Sequence, residues 1–195
     1  MDSLYEGNIG GEKEKMLNGE LYNANDPDLE RERSKAKELC NEYNMIKPSS
    51  KMERKNKLKQ ILGKIGDSIT VEPNFFCDYG YNIEIGEAFY ANHNLVILDP
   101  AKVRIGDNVF IGPNCGIYTA THPIDSETRN KGLEYAKPIT IGNNVWIGGN
   151  VSILPGVTIG DGTVIGAGSV VATSLPANVI AMGNPCKPLR EIGGK

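Results

Sequence analysis

The segment ITIGNNVWIGGNVSILPGVTIGDGTVIGAGSVV, residues 139–171, repeats every six residues, and this period decides the fold. One column of the repeat holds the large aliphatic residues Ile141, Ile147, Ile153, Ile159, Ile165 and Val171. A second column, two positions earlier, holds Ile139, Val145, Val151, Val157, Thr163 and Ser169. Amphipathic helices repeat every ~3.6 residues and strands every ~2, so a period of six indicates a short strand followed by a tight corner.

The same register continues upstream and groups the hexads into coils. The main column extends through Ile65, Val71, Cys77, Ile85, Ala91, Ile97, Ile105, Ile111 and Ile117. Three hexads close a triangular coil, and such coils bury their inner faces only by stacking on their neighbours. Slips of two residues fall between Cys77 and Ile85 and between Ile97 and Ile105. The predicted fold class is therefore mainly β, a parallel β-solenoid built from successive coils.

The largest interruption of the period is the segment 118–138, which is predicted to leave the solenoid as a protruding loop without a structural pattern of its own. Long loops in compact repeat proteins are usually functional. This loop contains His122 in the stretch YTATHPID, whereas the second histidine, His93, falls at a corner of the repeat. From the residues alone, His122 is open to two interpretations, an exposed loop histidine or a positioned base.

The N-terminal part of the chain has a different pattern and is predicted to be a helical element, residues 1–63, before the solenoid of residues 64–195. Asn25 or Asp26 can cap a helix that has Pro27 at its first position. Ser50 and Glu53 have the spacing of a capping box before a second helix that stops at Gly63. The charged residues between these signals are interpreted as a solvated helix face.

The composition of the chain restricts which kinds of partner and which cellular location are expected. The chain has 195 residues, 39% of them hydrophobic, and a net charge of −3, which argues against nucleic-acid binding. No stretch has the apolar length of a membrane span, and MDSLYEGNIGG lacks an apolar signal-peptide core, so a cytoplasmic location is expected. The four cysteines show no paired spacing, and Cys77 and Cys115 fall on inward positions, which favours reduced, hydrophobic roles.

Several segments closely resemble the maltose and galactoside O-acetyltransferases, with maltose acetyltransferase the nearer branch. The resemblance covers nearly the whole chain, from KEKMLNGELYNANDPDL in the N-terminal element onward. It is carried by FFCDYGYNI (75–83), YANHNLVILD (90–99), IYTATHPID (117–125), RNKGLEYAKPITIGNNVWIGG (129–149) and MGNPCKPLR (182–190). The hexads alone indicate an acyltransferase superfamily, whereas the histidine loop followed by EYAKP is far more specific.

The resemblance implies a left-handed parallel β-helix, acetyl-CoA as co-substrate without a required metal, and a homotrimer with active sites between neighbouring subunits. By the same resemblance His122 is the catalytic base, which removes the proton from a sugar hydroxyl as that oxygen attacks the thioester. Histidine suits this role because its ordinary pKa, ~6.5, leaves it largely neutral at pH 7. The implied acceptor-binding residues are Asp78, Asn92, Asp99 and Glu134.

The implied cofactor-binding residues are Trp146, Gly149, Ala167, Ala172, Thr173, Lys187 and Arg190. Lys187 and Arg190 would hold the phosphates of the nucleotide, and the small residues would let the cofactor approach. Three positions depart from the family pattern: Pro100 and Ala24 replace acceptor contacts, and Thr173 replaces a frequent lysine. These departures leave the identity of the acceptor open but not the reaction.

Other function classes fit the sequence less well. A metal enzyme on the same solenoid, as in gamma-class carbonic anhydrases, needs three histidines around zinc, and this chain has two. A non-catalytic binding solenoid needs a regular array of outward residues, whereas Asn143, Asn144, Asp161 and Gly162 are irregular. Acetylation of an amine, an amino sugar or a xenobiotic on the same fold remains the alternative within the acyltransferases.

Overall fold

The computed structural model describes residues 11–193. The expected absence of a signal peptide concerns residues 1–10, which together with 194 and 195 lie outside the described residues. The helices are α1 (Glu12–Asn18), α2 (Pro27–Met45), α3 (Lys51–Ile61) and α4 (Ser126–Asn130). Within residues 11–193, no helix combines the length and the apolar character needed to cross a membrane.

Between residues 11 and 193 the structure also contains nineteen short strands. They are β1 (Tyr22–Asn23), β2 (Ile69–Val71), β3 (Phe75–Cys77), β4 (Ile83–Ile85), β5 (Phe89–Ala91), β6 (Leu95–Leu98), β7 (Val103–Ile105), β8 (Phe110–Ile111), β9 (Gly116–Tyr118), β10 (Ala120–Thr121), β11 (Leu133–Ala136), β12 (Ile139–Ile141), β13 (Trp146–Ile147), β14 (Ser152–Ile153), β15 (Thr158–Ile159), β16 (Val164–Ile165), β17 (Val170–Val171), β18 (Val179–Gly183) and β19 (Cys186–Glu191).

The strands form the three faces of a triangular solenoid of about six turns. The first sheet has the order β15-β12-β7-β4, the second β19-β18-β16-β13-β8-β5-β2, and the third β17-β14-β9-β6-β3. Within these three sheets, all pairings are parallel except that of β18 with β19, which form a hairpin. The arrangement fits the predicted left-handed β-helix, and the fold class predicted from the hexads is confirmed.

The register of the strands explains both the period and its slips. Ile141 pairs with Ile159 on the next coil, three hexads further along the chain. Earlier coils are two residues longer, since Ile85 pairs with Ile105. The extra residues are accommodated at corners, so the aliphatic columns stay aligned on the inside of the solenoid. The column residues of residues 139–171 are all buried, including the polar Thr163 and Ser169. Their hydroxyls donate to the carbonyls of Pro176 and Gly166, respectively.

The close stacking of coils is visible at Gly148. A Cβ atom there would lie 2.6 Å from the backbone nitrogen of Ala167 on the coil above, which is closer than van der Waals contact permits. Glycine at this corner therefore allows the two coils to approach.

The N-terminal helices pack on the first coils of the solenoid. Asp26 caps α2 by accepting from the backbone N–H groups of Asp28 and Leu29, and Pro27 begins the helix, as predicted. The predicted capping box of α3 is wrong, because Ser50 makes no side-chain hydrogen bond to the helix. The inner face of α2 contacts β3, where the thiols of Cys40 and Cys77 lie 3.6 Å apart. Both are buried and free, in keeping with the hydrophobic role predicted for Cys77.

The segment 118–138 protrudes from the solenoid, as predicted, but the prediction that it has no structural pattern of its own is wrong. It contains β10, the short helix α4 and β11, and β10 pairs with β11 as an antiparallel hairpin. β11 also pairs with β1 of the N-terminal element, with Tyr22 opposite Glu134. The resulting small sheet, β1-β11-β10, fixes the position of the histidine loop against the start of the chain.

Candidate active site

The first group of predicted site residues lies where the strands of the third sheet end. Cys77 pairs with Ile97, and Ile97 pairs with Ile117, so the residues that follow these strands stack on one another. Asp78 and Asp99 follow the first two strands, and the segment that carries His122 follows the third. We call this edge, with the small sheet that covers it, the first corner.

Asp99 is completely buried beneath the first corner. Its Oδ1 atom accepts hydrogen bonds from the backbone N–H groups of Asp78 at 3.0 Å and Tyr79 at 2.9 Å. Oδ2 is buried and has no hydrogen-bond partner among the described residues. Burial raises the pKa of Asp99 to about 6, although the backbone N–H groups oppose this rise. With 0% exposure, Asp99 does not reach a ligand in this structure, and it supports the turn of Asp78 instead.

The raised pKa of Asp99 makes a prediction about stability. A carboxyl group whose folded-state pKa exceeds its unfolded value binds protons more tightly when folded, so stability falls as pH rises from about 4 to about 6. Asp99→Asn removes this loss. Relative to the wild type, its free energy of unfolding should therefore rise by on the order of 3 kcal/mol between pH 4 and pH 7. Urea unfolding at fixed protein concentration measures the difference, and a difference independent of pH would contradict this account.

Glu134 links the histidine loop to the N-terminal element. Its Oε2 atom accepts a hydrogen bond from the Tyr22 hydroxyl at 2.9 Å. Its Oε1 atom lies 3.9 Å from Nε2 of His122. The His122 side chain is 54% exposed and that of Glu134 is 25% exposed, so the histidine is accessible while the carboxylate lies behind it.

Arg33 on α2 supplies the positive charge at the first corner. Its guanidinium donates to the Tyr79 hydroxyl at 2.8 Å and to the backbone carbonyl of Ala24 at 2.5 Å. Burial raises the pKa of the nearby Asp78 carboxyl; the positive charge of Arg33 opposes this rise, and the negative charge of Glu134 adds to it. The corner therefore combines an accessible imidazole, two carboxylates and a guanidinium, a set that can bind and deprotonate hydroxyl groups.

The second group of predicted residues lies at the edge where the strands of the second sheet end. Asn92 follows β5, Trp146 lies in β13 and Gly149 follows it, and Ala167 follows β16. Trp146 is 58% exposed and pairs with Phe110. A cavity of about 430 Å³ is lined by Tyr90, Asn92, Phe110, Ile111, Gly112 and Trp146. We call this edge the second corner.

The remaining predicted residues are divided between these two places. Ala172 and Thr173 follow β17, the last strand of the third sheet, and are exposed at the same edge as the first corner. Lys187 and Arg190 lie in β19, where they pair with Met182 and Ile180 of the second sheet and are exposed. A single chain thus distributes the predicted site over two edges of the triangular solenoid.

Tyr22, Arg33 and Tyr79 lie at the first corner but were not predicted from the sequence. Tyr22 reaches the corner through the pairing of β1 with β11, which joins residues 112 positions apart. No local pattern contains such information. Tyr22 itself stands in the stretch GELYN, whose aromatic and charged residues equally suit a helix surface.

Within residues 11–193, no group of three or more histidine, cysteine, aspartate or glutamate side chains is arranged to hold a metal ion.

Known protein families match the N-terminal element and the solenoid separately. A family model described as the maltose acetyltransferase hexapeptide capping motif matches residues 15–66. The bacterial transferase hexapeptide model (six repeats) matches residues 138–173, and the hexapeptide repeat of succinyl-transferase matches residues 102–124. The helical start and the solenoid are thus each similar to known families.

Whole-chain similarities are strong. Galactoside O-acetyltransferase of Escherichia coli (strain K12) is 46% identical over 182 residues, which are 93% of this chain and 90% of that protein. The crystal structure of a maltose O-acetyltransferase from Clostridium difficile 630 has a TM-score of 0.94 at 51% identity, covering 96% of this chain and 100% of that chain. A galactoside acetyltransferase in complex with coenzyme A has a TM-score of 0.91 at 45% identity, covering 94% of this chain and 92% of that chain.

The triangular solenoid, its histidine-bearing loop and these similarities define a hexapeptide-repeat acyltransferase. More narrowly, the chain belongs to the maltose and galactoside O-acetyltransferase family. The family and the acyltransferase activity predicted from the sequence are confirmed.

Proposed function

We propose that this protein transfers the acetyl group of acetyl-CoA to a hydroxyl group of a sugar such as maltose, glucose or a galactoside, with His122 as the general base. The observation that carries the proposal is the first corner, where the accessible imidazole of His122 lies 3.9 Å from Glu134, and Glu134 in turn lies near the Asp78 and Arg33 side chains. The names of the relatives, which are maltose and galactoside O-acetyltransferases, support sugar hydroxyls as the acceptor class.

In the proposed reaction, His122 takes the proton of the acceptor hydroxyl as its oxygen attacks the carbonyl carbon of the thioester. The tetrahedral intermediate then collapses, the carbon–sulfur bond breaks, and His122 returns the proton to the departing sulfur. General-base assistance of this kind typically contributes ~10²–10⁴ in rate. Because the imidazole both accepts and returns the proton, no net proton transfer to solvent is needed.

The acceptor side of the proposed site uses carboxylates. Asp78 and Glu134 can each accept hydrogen bonds from sugar hydroxyls, since an ionised carboxylate offers two acceptor oxygens. Asp99 contributes by holding the backbone of Asp78 and Tyr79. The Oδ1 atom of Asn92 accepts from the backbone N–H of His93, which leaves its Nδ2 group to donate to the sugar or to the developing oxyanion.

The cofactor side uses the second corner and the β18–β19 hairpin. Trp146, Gly149 and Ala167 at the second corner are proposed to line the groove of the pantetheine chain. Ala172 and Thr173, which lie at the same edge as the first corner, are proposed to line it from that side. Lys187 and Arg190 are proposed to hold the phosphates, because both are exposed cations and the chain as a whole carries a net charge of −3. The coenzyme A bound to a related galactoside acetyltransferase supports acetyl-CoA as the donor.

We further propose a homotrimer in which the first corner of one subunit faces the second corner of the next. The support is the separation of the predicted residues over two edges of one chain, which a symmetric neighbour would bring together. The exposed aromatic side chains Phe110 and Trp146 on the second sheet would then be covered by the partner. A cytoplasmic location without nucleic-acid or membrane partners stays a prediction.

The reaction can be tested by measuring release of the free thiol of CoA from acetyl-CoA in the presence of maltose, glucose, galactosides, amino sugars and amines. Turnover that is fastest with neutral sugars, with the product carrying an ester, is the expected result. Faster turnover with an amine or a xenobiotic, with the product carrying an amide, would replace the proposal with the alternative acceptor class.

Substitutions at the two ends of the proposed groove should impair different substrates. Asp78→Ala should raise the acceptor KM or lower acceptor turnover by roughly 10- to 100-fold, since a hydrogen bond to a charged group contributes about 1.5–3 kcal/mol. Lys187→Ala and Arg190→Ala should instead raise the acetyl-CoA KM. Their effect should shrink at high salt because screening weakens the attraction to phosphates.

Initial rates with each substrate varied in turn, at low and high ionic strength, measure both effects. Lys64→Ala serves as the matched control, because it removes one exposed positive charge from the first sheet without touching either corner. An Asp78→Ala variant that weakened only acetyl-CoA binding would show that the acceptor pocket has been assigned to the wrong end.

A further inference from the structure

Tyr22 occupies an unusual position for a residue of the N-terminal element. Its side chain is 1% exposed and packs in a small cluster with Met16, Leu29 and Tyr79, separate from the core of the solenoid. Its hydroxyl nevertheless points at the first corner and donates to Glu134. Because Tyr22 and Glu134 are direct partners in the pairing of β1 with β11, the backbone fixes this contact as well.

The two oxygens of Glu134 have different neighbours. Oε2 is held by the Tyr22 hydroxyl at 2.9 Å, and Oε1 faces Nε2 of His122 at 3.9 Å. A carboxylate at this distance stabilises a positive charge on the imidazole, since opposite charges about 4 Å apart attract appreciably even near the protein surface. The general base acquires that charge when it takes the proton of the acceptor.

We propose that Tyr22 is a positioning residue, whose hydroxyl holds the Glu134 carboxylate beside His122 so that the carboxylate stabilises the imidazolium formed during acetyl transfer. The inference rests on the proposed role of His122 as general base and adds the N-terminal element to the catalytic machinery. Tyr22 acts only through Glu134, which acts on the His122 imidazole in addition to its proposed contact with the acceptor hydroxyls.

The surroundings of Glu134 are consistent with this arrangement. The charged or titratable groups that face it are Tyr22 from β1, Arg33 from α2, Asp78 and Tyr79 after β3, and His122 from the loop. Burial, and then the negative charge of Glu134, raise the pKa of Tyr22 strongly. Its hydroxyl therefore stays protonated and acts as a donor throughout the working pH range. Arg33 is directed to Tyr79 and Ala24, which leaves Tyr22 as the hydrogen-bond donor to Glu134 among the described residues.

Tyr22→Phe tests the proposal because it removes the hydroxyl and keeps the buried ring. The expected result is a fall in kcat of about 3- to 10-fold, the loss associated with one hydrogen bond, with the KM for acetyl-CoA unchanged. The acidic limb of the kcat/KM profile should move to lower pH, since a less well-held carboxylate stabilises the imidazolium less. Tyr43→Phe is the matched control: Tyr43 is equally buried in the same element, but its hydroxyl bonds to Val71 and Arg54.

Combination with Glu134→Gln distinguishes positioning from a general structural effect. If Tyr22 acts through Glu134, the double variant should be no slower than Glu134→Gln alone, within about two-fold. Additive losses, or a Tyr22→Phe variant whose pH profile and kcat match those of Tyr43→Phe, would overturn the proposal.

A measurement on the free enzyme separates this proposal from the proposed function. The imidazole proton signals of His122 are followed by NMR over a pH titration, with His122→Ala used to distinguish them from those of His93. The titration midpoint should move to lower pH in Tyr22→Phe and further in Glu134→Gln. An unchanged midpoint would overturn the role of Tyr22 even if sugar acetylation were established. A shifted midpoint with a fully active His122→Ala variant would retain the effect of Tyr22 on the Glu134–His122 pair but would overturn the proposed function of that pair in catalysis.

Discussion

His122→Ala should lower kcat by about 10²–10⁴ while the affinity for acetyl-CoA changes little. The reason is that the imidazole acts in the chemical step, where it takes the proton of the attacking hydroxyl, and not in holding the donor. The position of the residue supports this expectation, since it is half-exposed on a hairpin whose other strand carries the adjacent Glu134. The steady-state rates and the KM for each substrate are measured from CoA thiol release.

His93→Ala is the matched control for this experiment. His93 is the second histidine of the chain, exposed at a corner of the solenoid, and its Nδ1 atom contacts the backbone carbonyl of Pro73. The His93→Ala variant should keep most of the wild-type rate. Near wild-type turnover of His122→Ala would remove the histidine from the reaction and would require another base.

The fold could be predicted in detail because the determinants of a solenoid are local. Each hexad specifies one strand and one corner, and the register between coils follows from counting three hexads, as the pairing of Ile141 with Ile159 demonstrates. The slips of the period also correspond to a feature of the structure. They mark coils that are two residues longer than the later ones, such as the coil between Ile85 and Ile105. Residue spacing therefore predicted the solenoid and its coils, whereas the left-handed winding was implied only by the family resemblance.

The features that the sequence did not predict correctly depend on contacts between distant segments or on the geometry of a single helix cap. The segment 118–138 has no period, and its hairpin forms partly because β1 provides a partner strand from the other end of the chain. Ser50 and Glu53 have the spacing of a capping box, yet the backbone at Ser50 does not direct its hydroxyl to the helix. Spacing shows that a contact is possible, whereas the packing of the element decides whether it forms.

The residues of the candidate site were also predicted only in part. His122, Asp78 and Glu134 were predicted by resemblance and lie close together at the first corner. Asp99 was predicted to contact the acceptor, but it is buried and supports Asp78 through backbone hydrogen bonds. A polar residue at the end of a strand has the same sequence signature in both roles. Only its burial distinguishes a ligand contact from a structural one.

Mixing two inactive variants should restore activity if the site is shared between copies of the chain. His122→Ala disables the first corner, and Asn92→Ala disables the second, with an expected loss of about 10²–10³ for a donor to the developing oxyanion. Each homotrimer should therefore be almost inactive. In mixed trimers, some interfaces combine the intact first corner of one subunit with the intact second corner of its neighbour.

With equal amounts of the two variants and random assembly, each required corner is intact in about half of the subunits, so about a quarter of the interfaces carry a complete site. Co-expression of differently tagged chains, followed by sequential affinity purification and the thiol-release assay, measures the recovery. The matched control combines His122→Ala with Asp78→Ala, both at the first corner, and should restore nothing because no subunit pair regains an intact first corner. Failure of the first mixture to exceed this control would mean that each chain carries its own complete site. The purification removes both homotrimers, and each mixed trimer has one complete interface out of three. Recovery to about a third of the wild-type rate would therefore mean that the two corners of different subunits catalyse together.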